Sequence, residues 1–257
     1  MKMIEFHVED RIGFITLNRA EKRNALNPEV IIELSNTFKG AIADSGVKVI
    51  VLRANGEVFS AGADLAYLQQ LQNNSLEDNL ADTNLLKELY LTIYTSPKLV
   101  IAQVEGHAIA GGCGLATVCD LIYSVPEAKF GYTEVKIGFI PALVSSFLIR
   151  RIGESRTKEL LLTGNLVNAE TALQYGLVNF IIPANQIQDT VKTYAKQIAE
   201  TTSSESIRLT KELLLTNLNM PLLGSMEIAA SQNALARATE DCKKGIAAFL
   251  NKENLKW

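Results

Sequence analysis

Two glycine-rich turns constrain this chain more than any other feature. One is Phe59-Ser60-Ala61-Gly62-Ala63-Asp64-Leu65; the other runs from Gly106 through Gly111-Gly112-Cys113-Gly114 to Leu115. Each follows a short apolar run rich in β-branched residues, Val47 to Leu52 for the first and Leu99 to Val104 for the second. Such runs read as buried strands. A helical stretch follows each turn. Strand, small-residue turn and helix thus recur after about fifty residues, which is α/β organisation. Leu121 to Val125 predicts a third buried strand.

The flanks fit this frame. Residues 4–18 alternate as two strands around a polar turn at Glu9-Asp10-Arg11. Asn27-Pro28 opens a helix, with a capping side chain followed by a proline suited to the first helical position. Ile31, Leu34, Phe38 and Ile42 then form one apolar face. Residues 77–95 predict a helix that Pro97 ends. From Ser155 onward helices dominate, with Gly164 and Gly176 placed as C-caps. The organisation expected is an α/β core over residues 1–185 and a helical region over 186–257, serving as lid and assembly element.

Small residues let the main chain of both turns approach a ligand. A helix N-terminus also leaves amide groups unpaired. One amide from each turn could converge on a single oxygen, the arrangement that stabilises an oxyanion. Either turn alone reads more readily as a tight strand-to-helix connection. Neither is a G-x-G-x-x-G dinucleotide motif or a phosphate loop, since no lysine follows the glycines.

Bulk properties narrow the classes. With 25 Lys and Arg against 28 Asp and Glu, the formal charge is −3, far from the basic footprint of a nucleic-acid binder. Three cysteines without a CxxC pair and two distant histidines offer neither a disulfide framework nor a metal ligand set. The acidic residues Glu5, Glu9 and Asp10 interrupt any signal-like segment, and no apolar run is long enough to span a bilayer. A cytoplasmic protein without membrane partners is expected.

Six segments in order then carry a resemblance over nearly the whole chain: Glu21-Lys22-Arg23-Asn24-Ala25-Leu26, Ser60 to Leu65, Ala110 to Leu115, Cys119-Asp120, Phe130 to Val135, and Gly138 to Pro141. Together they resemble the crotonase (enoyl-CoA hydratase/isomerase) superfamily. The resemblance implies a spiral of ββα units with a C-terminal helical region, assembled as a trimer or hexamer. It implies an acyl-CoA substrate and no cofactor beyond the coenzyme A that the substrate carries. By position, the oxyanion amides would belong to Ala63 and Gly111, and Glu134 would be the catalytic acid/base. Ala61 would lie beside the adenine end, Lys22 and Arg23 near the phosphates, and Asp64, Leu65 and Gly114 along the substrate. Phe249 and Lys252 would reach a neighbouring subunit's coenzyme A.

The chain departs from the family at two places. Typical hydratases carry two glutamates; here one position is Gly114 and the other Glu134. The segment after Ile140-Pro141 also lacks the usual glycine-rich stretch and reads Ala142 to Gly153. Both features, with Thr133 to Gly138, look like bacterial methylglutaconyl-CoA hydratases, lyases of leucine breakdown that interconvert 3-methylglutaconyl-CoA and 3-hydroxy-3-methylglutaryl-CoA. Some of these also lack the first glutamate. A distal carboxylate on the substrate is then expected to occupy the space vacated at Gly114 or to orient the water held there, and Gly114 is expected at positive φ. Lys87, Lys136 and Arg150 are candidate partners for that carboxylate. A lone glutamate equally suits an enoyl-CoA isomerase. A polyketide-branching dehydratase or decarboxylase is a third reading, and a non-catalytic or RNA-binding relative is the reading of another class.

Overall fold

The computed structural model describes residues 2–257, with Leu65 described by its backbone alone. The chain opens as an antiparallel hairpin of β1 (Ile4–Glu9) and β2 (Ile12–Leu17). Its two turn residues, Asp10 and Arg11, both adopt positive φ, the conformation that matches the strand twist in a two-residue hairpin. Helix α1 (Pro28–Ala43) begins where Asn27 accepts a bond from the Val30 amide and Pro28 occupies the first turn. Ile31, Leu34 and Phe38 on its inner face are buried.

Three units then repeat one pattern, a strand of a large sheet, a short strand of a smaller sheet, and a helix. The first is β3 (Val49–Ala54), β4 (Val58–Ser60), then α2 (Leu65–Leu71) and α3 (Leu76–Tyr94). The second is β5 (Leu99–Val104), β6 (His107–Ile109) and α4 (Gly111–Thr117). The third is β7 (Leu121–Ser124), β8 (Lys129–Gly131) and α5 (Ala142–Thr163). The chain continues through β9 (Val167–Asn168), α6 (Ala169–Gln174) and β10 (Phe180–Ile181). The large sheet has the order β1-β2-β3-β5-β7-β10 and the small sheet β4-β6-β8-β9. Strands β3, β5 and β7 are parallel, as are β4, β6 and β8. The fold is therefore a ββα spiral. The glycine turns, expected as plain loops, each contain a strand of the second sheet.

Parallel strands need both faces covered, and α7 (Ile187–Thr201) covers part of one. Its Ile187, Val191, Ala195 and Ala199 are buried, and it packs on β2, β3, β5 and β7. It belongs to the core, although it lies beyond the boundary expected at residue 185. The helices that stand clear are α8 (Ser204–Asn217), α9 (Leu222–Ala238) and α10 (Glu240–Asn251). They pack mainly on one another. Lys211 ties α8 back to the core through Asp120, 2.5 Å away. Among the described residues, no helix is long and apolar enough to cross a membrane.

Candidate active site

The first turn is held open by the segment before α1. Leu26 and Ala63 form an isolated parallel bridge: the Leu26 amide donates to the Gly62 carbonyl at 2.7 Å, and the Asp64 amide donates to the Leu26 carbonyl at 2.8 Å. In such a bridge the residue between the two bonds turns its own N–H away from its partner. The exposed Ala63 thus presents its amide outward. Gly62, at φ +87°, makes the corner, a conformation that side chains disfavour.

Asp64, expected along the substrate, has both carboxylate oxygens engaged within the protein. One carboxylate oxygen caps α2 through the Ala66 amide at 2.9 Å, and the other pairs with Arg19 at 2.6 Å. The Arg19 guanidinium bond holds the Asp64 carboxyl below the ordinary aspartate range. Its role is to fix the start of the helix that follows the Ala63 amide. The Leu65 side chain, expected along the substrate, lies outside the described residues.

The second turn packs directly on the first. A Cβ placed on Gly62 would lie 3.5 Å from the Gly111 nitrogen and 2.9 Å from the Ala110 Cβ. A Cβ on Gly112 would lie 2.5 Å from both the Cβ and the carbonyl oxygen of Ser60. The small residues are what allow the two turns to meet. Gly111 opens α4, so its amide is one of the helix's orphan donors. Ala110 before it is strained, at φ 50° and ψ −125°. Its own amide donates to the Gly131 carbonyl at 2.8 Å.

Glu134 enters from the third unit, as the first residue of a short 3-10 turn over Glu134–Ile137. The approach is braced behind it, where the buried hydroxyls of Tyr132 and Thr117 lie 2.6 Å apart. One Glu134 carboxylate oxygen, Oε2, is buried without a hydrogen-bond partner among the described residues. Burial raises the Glu134 carboxyl above the ordinary glutamate range. Its charge adds to burial in raising Tyr90 on α3 and Cys113 on α4. Burial keeps the Cys113 thiol protonated by pushing it up to about 11. A strained turn, orphan amides and an unpartnered carboxylate in one place mark a functional site.

The space at Gly114 is not vacant. A Cβ there would lie 2.1 Å from the Tyr90 hydroxyl oxygen and 2.7 Å from the ring carbon bearing it. No room is left there for a distal substrate carboxylate, which corrects the expectation from sequence. Nor is Gly114 at positive φ; it is an ordinary residue of α4. Tyr90 itself was not a sequence candidate. Its signal, a tyrosine near the end of a weakly amphipathic helix, reads as core until the tertiary contact is known.

The outer candidates divide. Lys22 and Arg23 are exposed, and the Arg23 carbonyl accepts the Ala61 amide at 3.0 Å, so they stand beside the first turn. Lys87 lies one helical turn before Tyr90 on α3 and so shares its face. Lys136 folds its stem toward Gly164, and Arg150 bonds Ser146 and Asn219. Phe249 is 83 % exposed on α10, which packs on α8 and α9. Lys252 is the positive-φ residue ending that helix. The chain's own fold does not bring these last two to Glu134.

A ββα spiral closed by C-terminal helices is the fold of several solved hydratases. An enoyl-CoA hydratase/isomerase structure from Legionella pneumophila, provisionally named, has a TM-score of 0.92 at 36 % identity, covering 99 % of this chain and 98 % of that one. The chain belongs to the enoyl-CoA hydratase/isomerase family, whose pattern it matches over residues 7–257. A Thermus thermophilus protein, provisionally named an enoyl-CoA hydratase, is 45 % identical over 94 % of this chain and 95 % of its own length. The 2,3-dehydroadipyl-CoA hydratase of Escherichia coli is 33 % identical over 95 % and 94 %. The protein is an enzyme of the enoyl-CoA hydratase type, a lyase acting on acyl-CoA.

Proposed function

We propose that this enzyme hydrates and dehydrates acyl-CoA through one carboxylate, Glu134, with the Ala63 and Gly111 amides holding the thioester oxygen. The observation that carries the reading is the unpartnered, buried Oε2 of Glu134, in the unit that follows the helix whose first amide belongs to Gly111. When the α-proton leaves, charge moves onto the thioester oxygen, and donors already aimed there stabilise the enolate. Glu134 takes or returns the proton. Lys22, Arg23 and Ala61, joined to the first turn, are proposed to meet the coenzyme A. The subunits are proposed to associate as trimers or hexamers, with Phe249 and Lys252 at a neighbour's ligand.

The proposed acyl group is 3-methylglutaconyl, interconverted with 3-hydroxy-3-methylglutaryl in leucine breakdown in the cytoplasm. The support is Gly114 together with the segments Thr133–Gly138 and Ala142–Gly153. Of the three cations considered, Lys87 is proposed to meet the distal carboxylate, because it shares the α3 face of Tyr90. The filled space at Gly114 favours a second reading, double-bond isomerisation, which needs only one proton shuttle. Turnover on 3-methylglutaconyl-CoA, crotonyl-CoA and a 3-enoyl-CoA separates the two. Methylglutaconyl-CoA should give the highest kcat/KM, and Lys87→Met should raise KM for it alone. Crotonyl-CoA hydrated equally well defeats the methylglutaconyl assignment. A 3-enoyl-CoA converted while neither other substrate reacts makes the enzyme an isomerase.

A further inference from the structure

Tyr90 is 1 % exposed, yet its hydroxyl is not used to stabilise α3, the helix that carries it. It donates to the Gly111 carbonyl at 2.8 Å. The ring is held edge-on against Phe147 of α5, with centroids 6.1 Å apart and planes at 86°. This hydroxyl therefore grips the first residue of α4 from a fixed support. On the other side of the same turn, the Ala110 amide is gripped by the Gly131 carbonyl. Between these two anchors lies the Ala110–Gly111 peptide, whose N–H is the orphan donor of the site and whose preceding residue is strained. A strained peptide persists only where its surroundings over-determine it.

The same hydroxyl stands 2.1 Å from where a side chain at position 114 would begin.

We propose that Tyr90 is a positioning residue of this enzyme: it aims the Gly111 amide by pinning the strained turn, and it excludes a second carboxylate from position 114. The site is thereby confined to chemistry that one glutamate can complete. Burial raises the Tyr90 phenol far above its ordinary range, and the nearby Glu134 charge raises it further. It stays a neutral donor and adds no second proton-transfer group.

The proposal rests on Gly111 serving as an oxyanion donor, but its test does not depend on which acyl group is turned over. The first arm compares the full-length enzyme with Tyr90→Phe, which keeps the ring and removes the pin. Bound acetoacetyl-CoA reports the oxyanion donors through its enolate absorbance. Losing one such donor outright costs about 10²–10³ in kcat, so a loosened one should cost roughly 10-fold. The expected result is that fall in kcat on the best acyl-CoA substrate, a KM within about twofold, and a weaker enolate band. A purely structural role would lower the melting temperature while kcat and the enolate band stayed at wild-type values, and that result overturns the proposal. The second arm compares Gly114→Glu, Tyr90→Ala and the double variant. Gly114→Glu alone should lose stability, and the double variant should recover part of that loss, since contacting residues couple. If Gly114→Glu melts like the wild type, position 114 is not closed by Tyr90 and that half fails. If the double variant is as unstable as the sum of the singles, it fails equally.

Discussion

At Glu134 two requirements oppose each other. The proposed acid/base chemistry needs the carboxylate near the reacting carbon, yet burying Oε2 without a partner disfavours its charge. The raised pKa records this conflict, with burial as its main cause. Because the folded protein holds this proton more tightly than the unfolded chain, the burden on stability is absent at acidic pH. It grows as pH rises from the ordinary glutamate range through the raised folded value. Glu134→Gln should therefore melt higher than the parent at neutral pH, with the gap closing below the ordinary glutamate pKa. Its turnover should fall ~10²-fold or more, with acyl-CoA binding largely kept. Near-normal turnover would remove Glu134 from the chemistry, and a lower melting point at neutral pH would contradict the unpartnered charge. For the parent, the acidic limb of kcat/KM should lie above that of a free glutamate. The two glycine turns are legible in the sequence as local punctuation between strand and helix, whereas Glu134, Ala63 and Gly111 stand out in it only through the family resemblance. The roles of Tyr90 and Asp64 are not legible there. The meaning of the first depends on a contact with Gly114 across the fold, and that of the second on Arg19.

Among the elements, α5 shows how one residue can divide a helix. Gly153 sits inside it at φ 75°, ψ 171°, and nothing lies within 4 Å of where its Cβ would be. Any penalty of substitution there is purely one of backbone conformation. Gly153→Ala should cost about 1–3 kcal/mol in chemical denaturation. Gly40 in α1 is the control. It too has open space around it but carries ordinary helical geometry, so Gly40→Ala should stabilise by roughly 0.5–1 kcal/mol. Equal effects at both sites would mean that the kink is not maintained in solution. The kink also explains part of what the sequence conceals. Ser155 to Thr163 reads as a helix by itself, and the structure sets a second helical stretch, from Ala142, before it on the other side of Gly153. The strands of the small sheet are hidden for a different reason: at two or three residues each, they are too short to show a period of two.

On the scale of the molecule, the three last helices do not close a core of their own. Among their described residues, α8 buries none, α9 buries only Ser225 and α10 only Ala248. Leu222, Leu223, Phe249 and Leu250 are each more than 70 % exposed. Apolar surface of that extent calls for a partner. Light scattering at micromolar concentration should find an assembly of three or six chains, and a monomer would contradict it. The large sheet was readable because its central strands are continuous apolar runs. The role of α7 was not, since a helix packed on a sheet and one packed on other helices show the same amphipathic pattern.

The hydrogen bonds between the 23–26 segment and the first turn also have a mechanical meaning. Arg23 bonds Ala61, Asn24 bonds Ser60, and Leu26 bonds both Gly62 and Asp64. Whatever fixes Lys22 and Arg23 from outside also steadies the backbone that aims the Ala63 amide. With the coenzyme A placed at Lys22 and Arg23 as proposed, the nucleotide end of the thioester, remote from the reacting bond, acts as a brace on the proposed oxyanion turn. Its binding energy should be expressed in turnover as well as in affinity. A pantetheine thioester lacking the nucleotide, or Lys22→Ala with Arg23→Ala, should lower kcat by roughly 10-fold as well as raise KM, in keeping with remote contacts being spent at the reacting centre. If KM alone rises, these contacts are a simple tether. If neither changes, the acyl chain is delivered without the nucleotide, as it would be from a carrier protein.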